Sequence, residues 1–238
     1  MSGPQLAFGL VVYAIGCTLQ GVLGFGGGLF AVPILALIHP DFVPGPVLMV
    51  NPLLSGLLSM RERGSVDRHG LRWALTGRIP GVLLGAVALT VVAEERLGVL
   101  FGVLLLASVA LKASGVHAER TPRTLTAAGG LSGFMATTVA VGGPPIALAF
   151  HDLPGPVLRA TLSVYFLAGT TISLVVLALA GQFGTSDLVV AAWLMLPVMV
   201  GGALSGPLRG PLDRDWLAPA GYVLSSAAAV VLLIRSLA

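Results

Sequence analysis

Gly24-Phe25-Gly26-Gly27-Gly28 interrupts the first apolar stretch of this chain, and Val141-Gly142-Gly143-Pro144-Pro145 interrupts another one far downstream. Glycine runs raise the entropy cost of a helix, and adjacent prolines remove donors from its hydrogen-bond ladder. Hydrocarbon offers no water to the freed backbone groups, so irregular chain at that depth must be buried in protein or line a cavity. Two such breaks, at matching places in two halves of a sequence, point to the binding site of a secondary transporter.

The composition supports a membrane setting. Of 238 residues, 56% are hydrophobic and 10% charged, where a soluble domain carries roughly 25% charged residues. Mean hydropathy is +0.97. The charges fall in short islands between long apolar runs, the pattern of a polytopic membrane protein with no extramembrane domain. The start, Met1-Ser2-Gly3-Pro4-Gln5, has no positive leader, so the first apolar run is expected to remain rather than be cleaved as a signal peptide. One cysteine, Cys17, excludes an internal disulfide and a cysteine-rich metal site. A net charge of +3 reflects arginines between spans, not a nucleic-acid surface. No Walker motif, metal-type Cys/His cluster or GxSxG elbow is present, so neither an enzyme nor a cofactor is expected.

Apolar segments run over Leu6–Leu23, Leu29–Ile38, Pro46–Met60, Leu71–Ala93, Leu97–Leu111, Thr124–Val141, Pro144–Phe150, Val157–Ala180, Leu188–Ser205 and Trp216–Ile234. At about 1.5 Å per residue, Leu29–Ile38 and Pro144–Phe150 reach only about half-way across a bilayer. The halves also repeat. Pro44-Gly45-Pro46-Val47-Leu48 recurs as Pro154-Gly155-Pro156-Val157-Leu158, and Pro80…Gly85-Ala86 as Pro197…Gly202-Ala203. Residues 1–116 and 117–238 are therefore expected to be two duplicated transmembrane units.

Charge fixes how the units are oriented. Were each broken segment one continuous crossing, the loops with Arg61 and Arg209 would lie on opposite faces, against the positive-inside rule. If each is instead a hairpin that returns to its own side, ten basic residues share the cytoplasmic face: Arg61, Arg63, Arg68, Arg72, Lys112, Arg120, Arg123, Arg159, Arg209 and Arg214. Each half then becomes an all-α unit of one re-entrant hairpin plus three spans. Its odd number of crossings makes the second half inverted. Both termini are expected outside.

A helix that starts at a glycine break aims its N–H groups and positive dipole end at the break. Gly26, Gly27, Gly28, Gly142 and Gly143 thus form a candidate anion site, with close helix packing by small residues as the alternative. None of the ten Asp and Glu residues lies inside an apolar span, which disfavours a cation exporter. Polar candidates are Gln20, Thr137 and Thr138 near the breaks. Asn51 and Ser55 lie on one facing span, with Thr161 and Tyr165 at equivalent places on the other. For any single one of these, helix–helix hydrogen bonding is the competing and favoured role. Arg78, about two turns into its span, could draw anions inward, although snorkelling to the interface is the preferred expectation. His39 and His151 end the two short segments and read as polar interface residues in preference to titrating groups. Trp73, Trp193 and Trp216 read as interfacial anchors.

The string Gly21-Val22-Leu23-Gly24-Phe25-Gly26-Gly27-Gly28-Leu29-Phe30-Ala31-Val32-Pro33, with Gly142-Gly143-Pro144-Pro145-Ile146, resembles the sulfite exporter TauE/SafE family over nearly the whole chain. The second motif departs from many relatives by having Val141 in place of a further glycine. The resemblance implies a bacterial inner-membrane permease for sulfite, sulfoacetate or related organosulfonates, driven by an ion gradient. Its implied partners are a small sulfur oxyanion, the lipid bilayer and a coupling proton or cation; homo-oligomerisation stays open. The competing readings are an aquaporin-like channel for small anions or neutral solutes and, more remotely, an intramembrane enzyme.

Overall fold

The computed structural model describes residues 1–62, 66–92, 94–113 and 119–209, together with positions 223, 226–228, 230–231 and 233–234. The expected last segment, Trp216–Ile234, falls largely outside the described residues, as do Arg63, Arg214, Arg235 and the boundary between the two expected halves. The described residues form α1 (Gly3–Leu23), α2 (Gly27–Ile38), α3 (Gly45–Arg61), α4 (Arg68–Val91), α5 (Glu94–Ala113), α6 (Pro122–Val139), α7 (Gly143–Ala149), α8 (Gly155–Leu179) and α9 (Thr185–Leu204), with no strand among them. The helices begin one to three residues before their apolar runs, three of them at polar caps. Ser2, Asp67 and Thr121 accept backbone N–H groups from the first turns of α1, α4 and α6.

Both breaks take the shape that their composition requires. Gly24 and Gly26 adopt φ of 88° and 91°, the left-handed region that glycine enters without strain. The chain then reverses, so that α2 lies back along α1. Gln5 Nε2 in the first turn of α1 donates to the Ile38 carbonyl at the end of α2, 3.3 Å away, and Gly16 of α1 packs against Gly27 and Ala31 of α2. At the second break Ala140 is left-handed (φ 56°), and Ser132 of α6 donates to the Gly142 carbonyl at 2.6 Å, tying α7 to α6.

Packing crosses between the two ends of the sequence. α1 packs on α9, α4 on α6, α3 on α8, α3 on α9 and α4 on α8. The α4–α6 contact is closest, because Gly77 and Gly81 sit directly on the Thr126 and Gly130 carbonyls, where any Cβ would overlap them. Gly201 of α9 plays a similar part against α1, where a Cβ would come 2.5 Å from that of Cys17.

Among the described residues, five segments are long and apolar enough to cross a membrane: Gly3–Leu23, Pro40–Arg61, Arg68–Val91, Gly155–Leu179 and Thr185–Leu204. Leu83, Leu84 and Val87 of α4 and Leu188, Val189 and Leu196 of α9 are exposed on the outside of the bundle. Apolar residues turned outward on long helices belong in contact with lipid. The chain is an all-helical, multi-pass membrane protein.

Candidate functional site

The two glycine breaks meet. Gly143 lies beside the first break, its Cβ position 3.6 Å from the Gly26 nitrogen and 3.7 Å from the Phe25 Cβ. Between them is a cavity of about 30 Å³. Gly26, Gly27 and Gly28 wall it on one side and Gly142 and Gly143 on the other, with Gln20 of α1, Asn51 of α3 and Arg78 of α4 completing a polar lining. Tyr13, Cys17 and Thr170 also border it. Sequence reasoning did not single these three out, because a tyrosine, a cysteine and a threonine in apolar helices look like ordinary core.

Arg78 departs from the snorkelling expected of it. It is wholly buried (0% exposed), because Gly169 of α8 leaves the space that the guanidinium occupies; a Cβ there would overlap Nε. The guanidinium carbon lies 4.8 Å above the Tyr165 ring, a cation–π contact. Nη1 donates to Ser132 Oγ at 3.3 Å, and the Ser132 hydroxyl in turn donates to the Gly142 carbonyl. Nε and Nη2 have no hydrogen-bond partner among the described residues. No carboxylate pairs with Arg78 among the described residues. An unneutralised guanidinium in a buried wall is costly unless an anion reaches it.

The remaining sequence candidates are placed away from the cavity lining. Thr137 Oγ1 shares a hydrogen bond with Ser173 Oγ at 3.0 Å, and Thr138 bonds back to the Phe134 carbonyl of its own helix at 2.8 Å. Thr161 Oγ1 accepts the Asp67 N–H at 3.0 Å, near the start of α4. Tyr165 lies beneath the Arg78 guanidinium, edges onto the Phe166 ring and donates to the Gly129 carbonyl at 3.4 Å. His39 accepts the Asp41 N–H in a turn, and His151 lies exposed beside the Leu148 carbonyl.

The two breaks do not offer equal donors. The first intrahelical bond of α2 is Phe30 N–H to Gly26 carbonyl, so the turn before it faces the break. α7 has only seven residues, and Pro144 and Pro145 remove two N–H groups from its first turn. On this geometry α2 and Arg78 supply the positive potential, while the second break chiefly supplies space and the carbonyl that holds Ser132.

Ser132 itself was not legible in advance. It sits ten positions before Gly142, and only the folding of α7 onto α6 brings the two together. Glu62 was also overlooked as a buried group: it reads as a loop acid, yet its side chain is 6% exposed and pairs with Arg159.

A helical membrane protein with two broken segments meeting at a buried, cation-bearing cavity has the form of a solute carrier. The family model for the sulfite exporter TauE/SafE matches residues 8–232, and the chain belongs to that family. No curated protein and no solved structure matches it.

Proposed function

We propose that the protein is a secondary transporter of small sulfur oxyanions such as sulfite or sulfoacetate, and that the substrate binds in the cavity between the two breaks. The observation that carries this reading is Arg78: a buried cation that has, among the described residues, two unsatisfied N–H-bearing nitrogens and no acidic partner, in the wall of the cavity that both breaks enclose. An oxyanion accepts hydrogen bonds at several oxygens and neutralises the charge. The α2 N-terminus and Gln20 and Asn51 would hold its other oxygens.

Alternating access then follows from two hairpins entering from opposite faces. The packing supports such a two-fold relation. Exchanging α1 with α6, α2 with α7, α3 with α8 and α4 with α9 turns the α1–α9 contact into α4–α6, α3–α9 into α4–α8, and leaves α3–α8 unchanged. The arginine-rich face bearing Arg61, Arg68, Arg72, Arg120 and Arg159 would lie in the cytoplasm of a bacterial inner membrane, with both termini outside.

The test is reconstitution. Purified protein in liposomes should move radiolabelled sulfite against its gradient when a proton or cation gradient is imposed, and saturably. Arg78→Ala should lower transport at least 100-fold and Arg78→Lys about tenfold, since a point charge replaces a fork, while both variants keep their elution profile in detergent. Unsaturable, gradient-independent flux would identify a channel. Undiminished sulfite transport in Arg78→Ala would remove the arginine from the site.

A further inference from the structure

Neighbouring residues of α7 face two different spaces. Gly143 and Pro144 border the cavity between the breaks, whereas Pro145, Leu148 and Ala149 border a separate groove of about 190 Å³. Leu111 of α5 and Thr124, Ala127 and Leu131 of α6 wall it. The Thr124 hydroxyl donates to the Glu119 carbonyl, so these walls offer hydrocarbon and no free polar side chain. Leu131 is 44% exposed on the outside of the bundle, where the groove opens toward lipid.

One end of this groove is cationic. Arg123, Ala127 and Leu131 recur four residues apart on α6 and so form one row of its surface. Arg123 heads that row, about 12 Å of helix from Leu131. It is exposed, and among the described residues no carboxylate pairs with it. Arg120, near the same helix end, is by contrast already held by Asp67 and Asp152. A long cationic side chain at the end of a membrane helix reaches toward the headgroups. A neutral apolar solute in the groove would leave Arg123 unused, and an acidic peptide would leave the groove unfilled. An acyl chain joined to a phosphate satisfies both ends.

We propose that the groove binds one anionic phospholipid, its phosphate on Arg123 and an acyl chain against Pro145, Leu148 and Ala149, and that this lipid braces α7 and with it the second break. α7 has seven residues, and its two prolines leave it few intrahelical hydrogen bonds. Its position therefore depends on what packs against it, and the groove is where lipid takes that part. The binding site needs only the membrane fold; what the bracing does for solute movement rests on the transporter reading.

Native mass spectrometry of the detergent-purified protein, titrated with dioleoyl phosphatidylglycerol or dioleoyl phosphatidylcholine, counts the lipids retained. The anionic lipid should be held about fivefold more tightly, the worth of one arginine beside an anionic headgroup. Arg123→Gln should bring the two lipids level. Ala127→Trp, which fills the groove from an exposed position, should weaken both, and Ala127→Leu serves the same end if tryptophan prevents folding. Cys17 borders the cavity and is the only cysteine. In nanodiscs of the two lipids it should react with a neutral methanethiosulfonate at rates that differ severalfold, a difference that Ala127→Trp removes. Equal retention of both lipids by the parent, a preference that survives Arg123→Gln, displacement of the anionic lipid by millimolar inorganic phosphate, or a lipid-free dimer would each overturn the site. An identical Cys17 rate in the two lipids would overturn its link to the cavity. Lipid retention is read with no sulfite present, so its failure is told apart from a failure of transport.

Discussion

At the scale of single residues, glycines that look alike in the sequence have different work. Gly27 lies on the Gly16 carbonyl, so even a methyl group there collides with backbone. Gly143 faces the cavity and has room for one, its Cβ position 3.6 Å from the nearest atom. Gly143→Ala should therefore leave the thermal unfolding midpoint in detergent within a few degrees of the parent while lowering sulfite transport severalfold. Gly27→Ala should cost about 1–3 kcal/mol by overpacking, visible as a lower midpoint before any transport is measured. The same contrast applies to the cradle of Arg78: removing the Ser132 hydroxyl takes away one net hydrogen bond of about 1 kcal/mol. Ser132→Ala should accordingly raise the half-saturating sulfite concentration about fivefold with little change in maximal rate. Equal kinetics in the alanine variant would separate the α6 hydroxyl from the site.

At the scale of elements, the α4–α6 pair is closely packed and carries Arg78, Ser132 and the second break together. Its closeness depends on Gly77, Gly81, Gly129 and Gly133, each lying against the facing backbone. Gly81→Leu should force the helices apart and be read as loss of folded protein on size exclusion, whereas Leu83→Ala on the lipid-facing side of α4 should be tolerated. The helices themselves were legible in the sequence, because a run of apolar residues ended by glycine, proline or charge leaves few alternatives. Arg78 was legible as a candidate and wrong in its placement. Whether a long cationic side chain reaches water or turns inward depends on a neighbouring helix leaving a gap, and Gly169 lies 91 positions away with nothing local to announce it. Thr161 shows the converse: equivalence to Asn51 by the repeat does not carry it to the cavity, since the Asp67 N–H at the start of α4 takes its hydroxyl.

At the scale of the whole molecule, charge parity is the part of the sequence reading with the widest reach. It proposes which ends of the helices share a face. A cysteine placed between Gly181 and Asp187, in a Cys17→Ser background, should react with an impermeant maleimide added outside intact cells. Reaction only after the cells are opened would invert the proposed orientation.

The crosswise pairing of α1 with α9 and of α4 with α6 also sets the order in which the protein can be made. A ribosome delivers Gly3–Leu23 to the bilayer long before Thr185–Leu204 exists. α1 and its reversed companion α2 must therefore wait among lipids, with an unfinished face and a glycine bend, through most of synthesis. Their mutual packing at Gly16, Gly27 and Ala31 is what can hold them in the meantime. Mutations on that seam should accordingly act most strongly on the nascent chain, and α9, made long after α1, decides whether the first helix was inserted usefully.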